Sequence, residues 1–113
     1  MIKVYKNRNS KQSFSKVLVW LEKHRIRYQI ITQTHLKYQD LIHILSMSKG
    51  FDDFIISKEK IARVYSDEMK TDVMLAYLLR HQYILKSPII FDDKNYSIGY
   101  NTESLKALFL EIK

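Results

Sequence analysis

The sequence predicts an α/β fold: a four-stranded mixed sheet with a helical subdomain inserted between the second and third strands. Three observations predict it. Strand-like and helix-like hydrophobic periods alternate at the start of the chain, helical pattern fills its middle, and a hairpin followed by a helix closes it. At 113 residues with 46% apolar composition the chain is one domain, large enough for a real core.

The elements follow in order. In MIKVY, Ile2 and Val4 alternate as on a strand. The stretch KNRNSKQSFSKVLVWLEKH, residues 6–24, runs from a polar loop into an amphipathic helix with Phe14, Val17, Leu18 and Leu21 on its apolar face. Ser10 and Ser13 form an S-x-x-S where that helix begins, and Ser10 is the expected N-cap. RIRYQIIT, residues 25–32, alternates Ile26, Tyr28 and Ile30 and is β-branched, which predicts a second strand, parallel to the first through a right-handed crossover. Between Lys37 and Ser48, Tyr38, Leu41, Ile42 and Leu45 make one helical face, and Gly50 is placed to end that helix. Phe54, Ile55 and Ile56, then Ile61 to Tyr65, then Met74, Tyr77, Leu78 and His81 extend the helical region. Pro88 precedes Ile89, Ile90 and Phe91, and the turn DDKN leads into YSIGY, a hairpin of two strands. Thr102 is the expected cap of a last helix bearing Leu105, Leu108 and Phe109. This order is that of a thioredoxin-like fold, with residues 1–33 and 83–113 as its core and 34–82 as the insertion.

Composition excludes whole classes of chemistry. The chain has no cysteine, so disulfides, thiolate metal sites, thiol nucleophiles and cysteine redox switches are ruled out. It shows neither a long apolar run nor a secretion signal, and the expected compartment is the cytoplasm. His24, His35, His43 and His81 fall on separate elements without ligand spacing, so no metal site is expected, and no cofactor. Asp52-Asp53 and Asp92-Asp93 read as turn and cap residues, because adjacent carboxylates point apart. Trp20, Tyr5, Tyr28, Tyr38 and Tyr77 read as core and rim packing on strands and helices. Charge is unevenly placed: residues 1–27 hold eight cations and one acid, Glu22, while the remainder of the chain is balanced. Such asymmetry points to an acidic partner or a nucleic-acid backbone, or to a solvated basic face.

The blocks MIKVY, the polar loop 6–13, KVLVWLEKHRIRY, FIIS, SPIIFDD and SIGYN, in that order and spacing, resemble the arsenate reductase-like proteins, and most of all their Spx branch. The resemblance covers essentially the whole chain. It implies the thioredoxin-like fold and a bacterial transcriptional regulator that binds the C-terminal domain of the RNA polymerase α subunit, with only weak or indirect contact with DNA. The family's C-x-x-C redox pair corresponds to Ser10 and Ser13. Cysteine suits a helix N-terminus because the dipole lowers its pKa, whereas a serine hydroxyl stays neutral there and no His-acid couple is evident to activate it. Phe14 stands where the family usually has a basic residue, so the loop has drifted beyond a minimal replacement. Lys86-Ser87 stands where an Arg-Arg pair would grip an oxyanion, and Lys58, Glu59 and Lys60 occupy the region of another expected arginine. Reductase chemistry is excluded on both grounds, and the chain is not expected to be an enzyme. The glycine that admits the α subunit in the family falls closest to Phe51, with Gly50 offset by one or two positions, so a ring at that place either blocks the family interface or remakes it; Gly50, Phe51, Lys58, Lys60 and Lys86 are candidate contacts for a partner, the lysines for an acidic one. Pro88 is expected to be the fold's cis proline, shaping a groove beside Ser10. Three other readings stand beside the regulator: an inactive reductase-like domain with another protein partner, an anion binder using the first helix's N-terminus, and a nucleic-acid binder using the basic first unit.

Overall fold

The alternating residues at the start of the chain form β1 (Ile2–Tyr5), which is covered on both faces. Ile2 and Val4 enter one apolar cluster and Tyr5 the other. A computed structural model describes residues 1–56 and 70–110 of the chain. Beyond β1 it contains α1 (Lys11–Lys23), β2 (Tyr28–Ile31), α2 (Tyr38–Met47), α3 (Thr71–Arg80), β3 (Ile89–Phe91), β4 (Tyr96–Ile98) and α4 (Thr102–Leu105), which runs into a π-helical turn at Lys106–Leu110. The strands make one mixed sheet in the order β2-β1-β3-β4. β1 pairs parallel with β2 and antiparallel with β3, and β3 pairs antiparallel with β4. This is the thioredoxin-like arrangement, with the helical segment inserted between β2 and β3.

Strand periodicity splits the interior into two layers. On one side of the sheet Ile2, Val4 and Ile90 pack with Val17, Trp20 and Leu21 of α1 and with Leu105 of α4. On the other, Tyr5, Ile89 and Phe91 pack with Leu41 and Ile44 of α2, Met74 and Leu78 of α3, and Phe54. Phe54, Ile55 and Ile56 do not start a helix. Ile55 forms an isolated bridge to Leu85, while the Ile56 N–H donates to Ile84 C=O at 2.8 Å and the Lys86 N–H to Phe54 C=O at 2.9 Å. The segment therefore lies as a short extended stretch beside the chain entering β3. Ile61 to Tyr65, Lys58 and Lys60 lie outside the described residues.

Several boundaries differ from expectation. β2 is an edge strand, so Ile30 is 41% exposed instead of buried in the alternation read from Ile26 and Tyr28. In α2 the buried residues are Leu41 and Ile44, and Ile42 is exposed. Gly50 does not terminate that helix, which ends at Ser48 in extended backbone; Gly50 (φ 153°) precedes a single 3₁₀ turn at Phe51–Asp53. Asn101, not Thr102, caps α4, its Oδ1 accepting the Ser104 N–H at 3.0 Å. Both are competent caps, and the asparagine carbonyl meets the third amide of the helix. The hairpin turn is as read: Asp92 Oδ1 accepts the N–H groups of Lys94 and Asn95 at 2.9 and 2.8 Å.

The end of α1 is a Schellman closure without its usual glycine. The Ile26 N–H donates to Leu21 C=O at 2.9 Å and the Arg25 N–H to Glu22 C=O at 3.0 Å, with Ile26 and Leu21 in the same apolar cluster. Arg25 sits at φ 57°, a left-handed conformation that costs a residue with a Cβ about 1–2 kcal/mol. Arg25→Gly is expected to stabilise the chain by roughly 0.5–1 kcal/mol after the glycine's greater unfolded-state entropy is subtracted. A melting temperature that rises by a few degrees checks this, and a fall contradicts it.

Candidate functional site

The loop between β1 and α1 folds back on the chain that enters β3. Its centre is Asn7, 8% exposed, whose Nδ2 donates to the Tyr5 hydroxyl (3.2 Å), Gln82 C=O (2.8 Å) and Leu85 C=O (3.1 Å). Asn7 Oδ1 accepts the Asn9 N–H at 2.8 Å, and Asn9 Nδ2 donates to the carbonyls of Tyr83 and Leu85 at 2.7 and 2.8 Å. The backbone N–H of Asn7 donates to Ser87 Oγ at 3.0 Å and, more weakly, to Ser10 Oγ at 3.4 Å. The Ser10 and Ser87 hydroxyls are hydrogen-bonded to each other. The Ser87–Pro88 peptide is cis, and Pro88 C=O accepts the Gly99 N–H at 2.8 Å, which ties this loop to the end of β4.

Ser10 is therefore placed at the start of α1, but it does not do what a capping serine does. It is 4% exposed, has helical backbone angles, and makes no side-chain bond to a helix amide. Its hydroxyl is drawn to Ser87 because the cis-proline loop packs directly against the helix start. The next residue, Lys11, takes φ 49°, and the first turn of α1 carries no acid. Ser13 lies one turn in, half-buried, its N–H donating to Ser10 C=O at 3.0 Å. The hydroxyls thus sit among neutral donors and carbonyls. Every buried side-chain polar atom among the described residues has a partner.

A second tier supports the first. The Tyr5 hydroxyl donates to Gln82 Oε1 at 2.8 Å, and Gln82 Nε2 donates to the carbonyls of Gln33 and Leu79 at 2.8 and 3.0 Å. Burial pushes the Tyr5 phenol well above its ordinary value, opposed by the Asn7 hydrogen bond. Asn7, Asn9 and Gln82 were not singled out by the sequence reading. The one local signal for them is the run N-R-N-S straight after a strand, where asparagines commonly bond nearby backbone.

The predicted partner-contact turn borders the other apolar cluster, on which Phe51 packs. Gly50 and Phe51 occupy a turn held by Asp53, whose Oδ2 accepts the Lys49 N–H at 2.8 Å and the Tyr96 hydroxyl at 3.1 Å. The Lys49 amide, ahead of Tyr96 and the nearby charges of Lys49 and Lys86, holds the Asp53 carboxyl below its ordinary value. The Phe51 ring stacks at 5.8 Å on Phe54, and the Lys86 backbone is bonded to Phe54, so Gly50, Phe51 and Lys86 border one turn. A side chain built at Gly50 would meet nothing within 4 Å, so the backbone there is open to approach. The histidines are dispersed: His24 stacks on Trp20, His81 on Tyr77, His35 bonds Thr32 and His43 bonds Asp92 C=O. Among the described residues no group of three potential metal ligands comes together. Nor is any helix among them long and apolar enough to cross a membrane.

Residues 5–108 match the model of the ArsC family. This chain belongs to that family. Among curated ArsC-like relatives, the global transcriptional regulator Spx of Streptococcus agalactiae is 30% identical over 102 residues, covering 84% of this chain and 74% of that one. The global transcriptional regulator Spx 2 of Oceanobacillus iheyensis is 31% identical over 100 residues, covering 83% and 74%. Solved structures share the fold: SACOL0876 from Staphylococcus aureus COL superposes with a TM-score of 0.76 at 17% identity over 98% of this chain and 100% of that one. The arsenate reductase from Vibrio cholerae gives 0.68 at 14%, over 95% and 93%. This ArsC-family member lacks a cysteine redox motif, and arsenate reductase chemistry has no thiol nucleophile in it.

Two outcomes test the site. Asn7→Ala removes a hub that satisfies three oxygens, and is expected to cost about 2–3 kcal/mol in urea unfolding with an unchanged m-value. A loss below about 1 kcal/mol would show that the network relaxes around the gap. The buried Tyr5 phenol makes an alkaline test. Its pKa is raised on folding, so its contribution is complete below the unfolded value of 10.0 and is lost as pH climbs above it. Above that pH the wild type should lose stability faster than Tyr5→Phe by up to about 1.4 kcal/mol per pH unit, one proton's worth. Parallel curves would place Tyr5 outside this linkage.

Proposed function

We propose that this chain is an Spx-like transcriptional regulator, acting in the cytoplasm by binding the C-terminal domain of the RNA polymerase α subunit, without a cysteine switch and without reductase activity. The observation that carries the reading is the similarity to Spx regulators over 84% of the chain. In this reading Ser10 and Ser13 are the vestiges of the redox pair. The structure of their surroundings supports it: Ser10, Ser87 and the Asn7 amide bond one another where a thiolate and its oxyanion substrate would need free donors. An anion-binding role at the start of α1 gains no support from hydroxyls already paired in this way.

The partner surface in this proposal is the turn of Gly50 and Phe51 with Lys86; Lys58 and Lys60, the other candidate contacts, lie outside the described residues. Gly50 leaves room for a partner's backbone, Phe51 supplies a half-buried ring, and Lys86 supplies charge for an acidic surface. Binding to the purified α-subunit domain is the test, measured by interferometry before and after diamide. Lys86→Glu and Phe51→Ala are each expected to weaken binding by about tenfold, and oxidant to change it less than about twofold. Absence of binding at high micromolar concentration would refute the polymerase reading. An oxidant-dependent affinity, with methionine oxidation excluded, would refute the switch-free one.

A further inference from the structure

The basic character of the first unit is concentrated on exposed side chains of α1 and its flanks. Of the cations in residues 1–27, Lys3 pairs with Asp40 across 3.4 Å and Lys6 lies over the Phe14 ring at 4.8 Å. Arg8, Lys11, Lys16, Lys23, Arg25 and Arg27 are exposed and form no ion pair among the described residues. Glu22, the segment's one acid, accepts the Tyr28 hydroxyl at 2.7 Å. Two of these cations are also held at a conformational cost. Lys11 at φ 49° and Arg25 at φ 57° flank α1 in left-handed backbone, where glycine would be more stable.

An apolar feature lies in the middle of that charge. Val19, 64% exposed, stands between Lys16 and Lys23 at i, i+3, i+7 spacing, on one stripe of the helix. With Ser15, Lys16 and Tyr100, itself 40% exposed, it lines an open groove of about 380 Å³. We propose that this face of α1 is a docking surface for an acidic protein segment that places one apolar side chain between Val19 and Tyr100. Charge complementarity selects the acid, and the groove selects a protein. A duplex phosphate backbone is met by cations and hydroxyl donors, which would leave exposed Val19 and the apolar wall of the groove without a role, whereas an apolar anchor ringed by charge is the usual anatomy of a protein contact. α1 packs on the sheet face opposite to α2, α3 and Phe54, so this surface is separate from the turn at Gly50 and goes beyond the polymerase contact proposed above.

The experiment is an NMR titration of the ¹⁵N-labelled full chain with three probes: a Glu-rich helical peptide carrying one central Leu, the same peptide with Ser in its place, and a short duplex DNA. The Leu peptide is expected to shift the amides of Ser15, Lys16, Val19, Lys23 and Tyr100 and to leave Gly50–Phe54 unmoved. Lys16→Glu with Lys23→Glu should weaken it about tenfold and Val19→Ser about fivefold; the exposed Val19 leaves the melting temperature unchanged, and the lysine pair lowers it slightly because Lys23 lies in the last turn of α1. Arg25→Gly should weaken it about twofold while raising the melting temperature. Equal affinity for the Ser peptide would reduce the surface to bare charge and overturn the proposal. So would tighter binding of the duplex, shifts centred elsewhere, or no shifts at millimolar peptide.

Discussion

One buried amide, that of Asn7, joins segments of the chain that are otherwise far apart in sequence. Its Nδ2 carries two protons and is shared among three oxygens, from Tyr5, Gln82 and Leu85, so at least one bond is bifurcated. Its carbonyl orders Asn9 and its backbone N–H reaches the two serines. Each such neutral bond contributes only about 1 kcal/mol net, but a buried donor or acceptor left unmet costs more than that. The set therefore holds as a unit: the end of β1, the start of α1 and the chain before β3 are fixed together or not at all.

That constraint decides what the helix start can do. An α-helix N-terminus favours negative charge, which is why thiolates and oxyanions are stabilised there. Here the groups nearest to it are two neutral hydroxyls bonded to each other, followed by a lysine, with no acid in the first turn. Neither hydroxyl ionises under physiological conditions. In this chain the start of α1 belongs to the scaffold, and Ser87 completes it from the far side. The serine before Pro88 is part of the same arrangement, because Ser10 and Ser87 satisfy each other.

Much of the fold was legible because it follows from local periodicity. Two alternating strands around an amphipathic helix, a hairpin with an Asx turn and a closing helix are all written in contiguous residues, and the sheet realises them. The misreadings came where a distant partner decides. Ser10 has every local mark of a cap, but its bond is to a residue 77 positions away. Ile30 fits a buried alternation, yet β2 lies at the sheet edge, which no single strand's pattern reveals. The extended placement of Phe54 to Ile56 depends on the backbone near Leu85, and their apolar run alone is equally compatible with a helix. The Schellman closure at Arg25 was hidden because the expected signal is glycine, and the chain has only two.

The sheet would keep the two proposed partner surfaces apart in one small domain. α1 and α4 cover one face and α2, α3 and the Phe54 segment the other, with β3 and all of β1 but Lys3 buried between them. The proposed turn at Gly50 and the proposed stripe around Val19 are therefore separated by a packed layer, and neither occupant would displace the other. The Asn7 network crosses that layer, since Tyr5 faces the α2 side while Ser10 begins α1. A redox pair at this crossing could alter one face in response to the other. The network holds no thiol, and burial raises the phenol of Tyr5, its one titratable side chain, so its hydrogen bonds hold the two faces in one fixed relation at neutral pH.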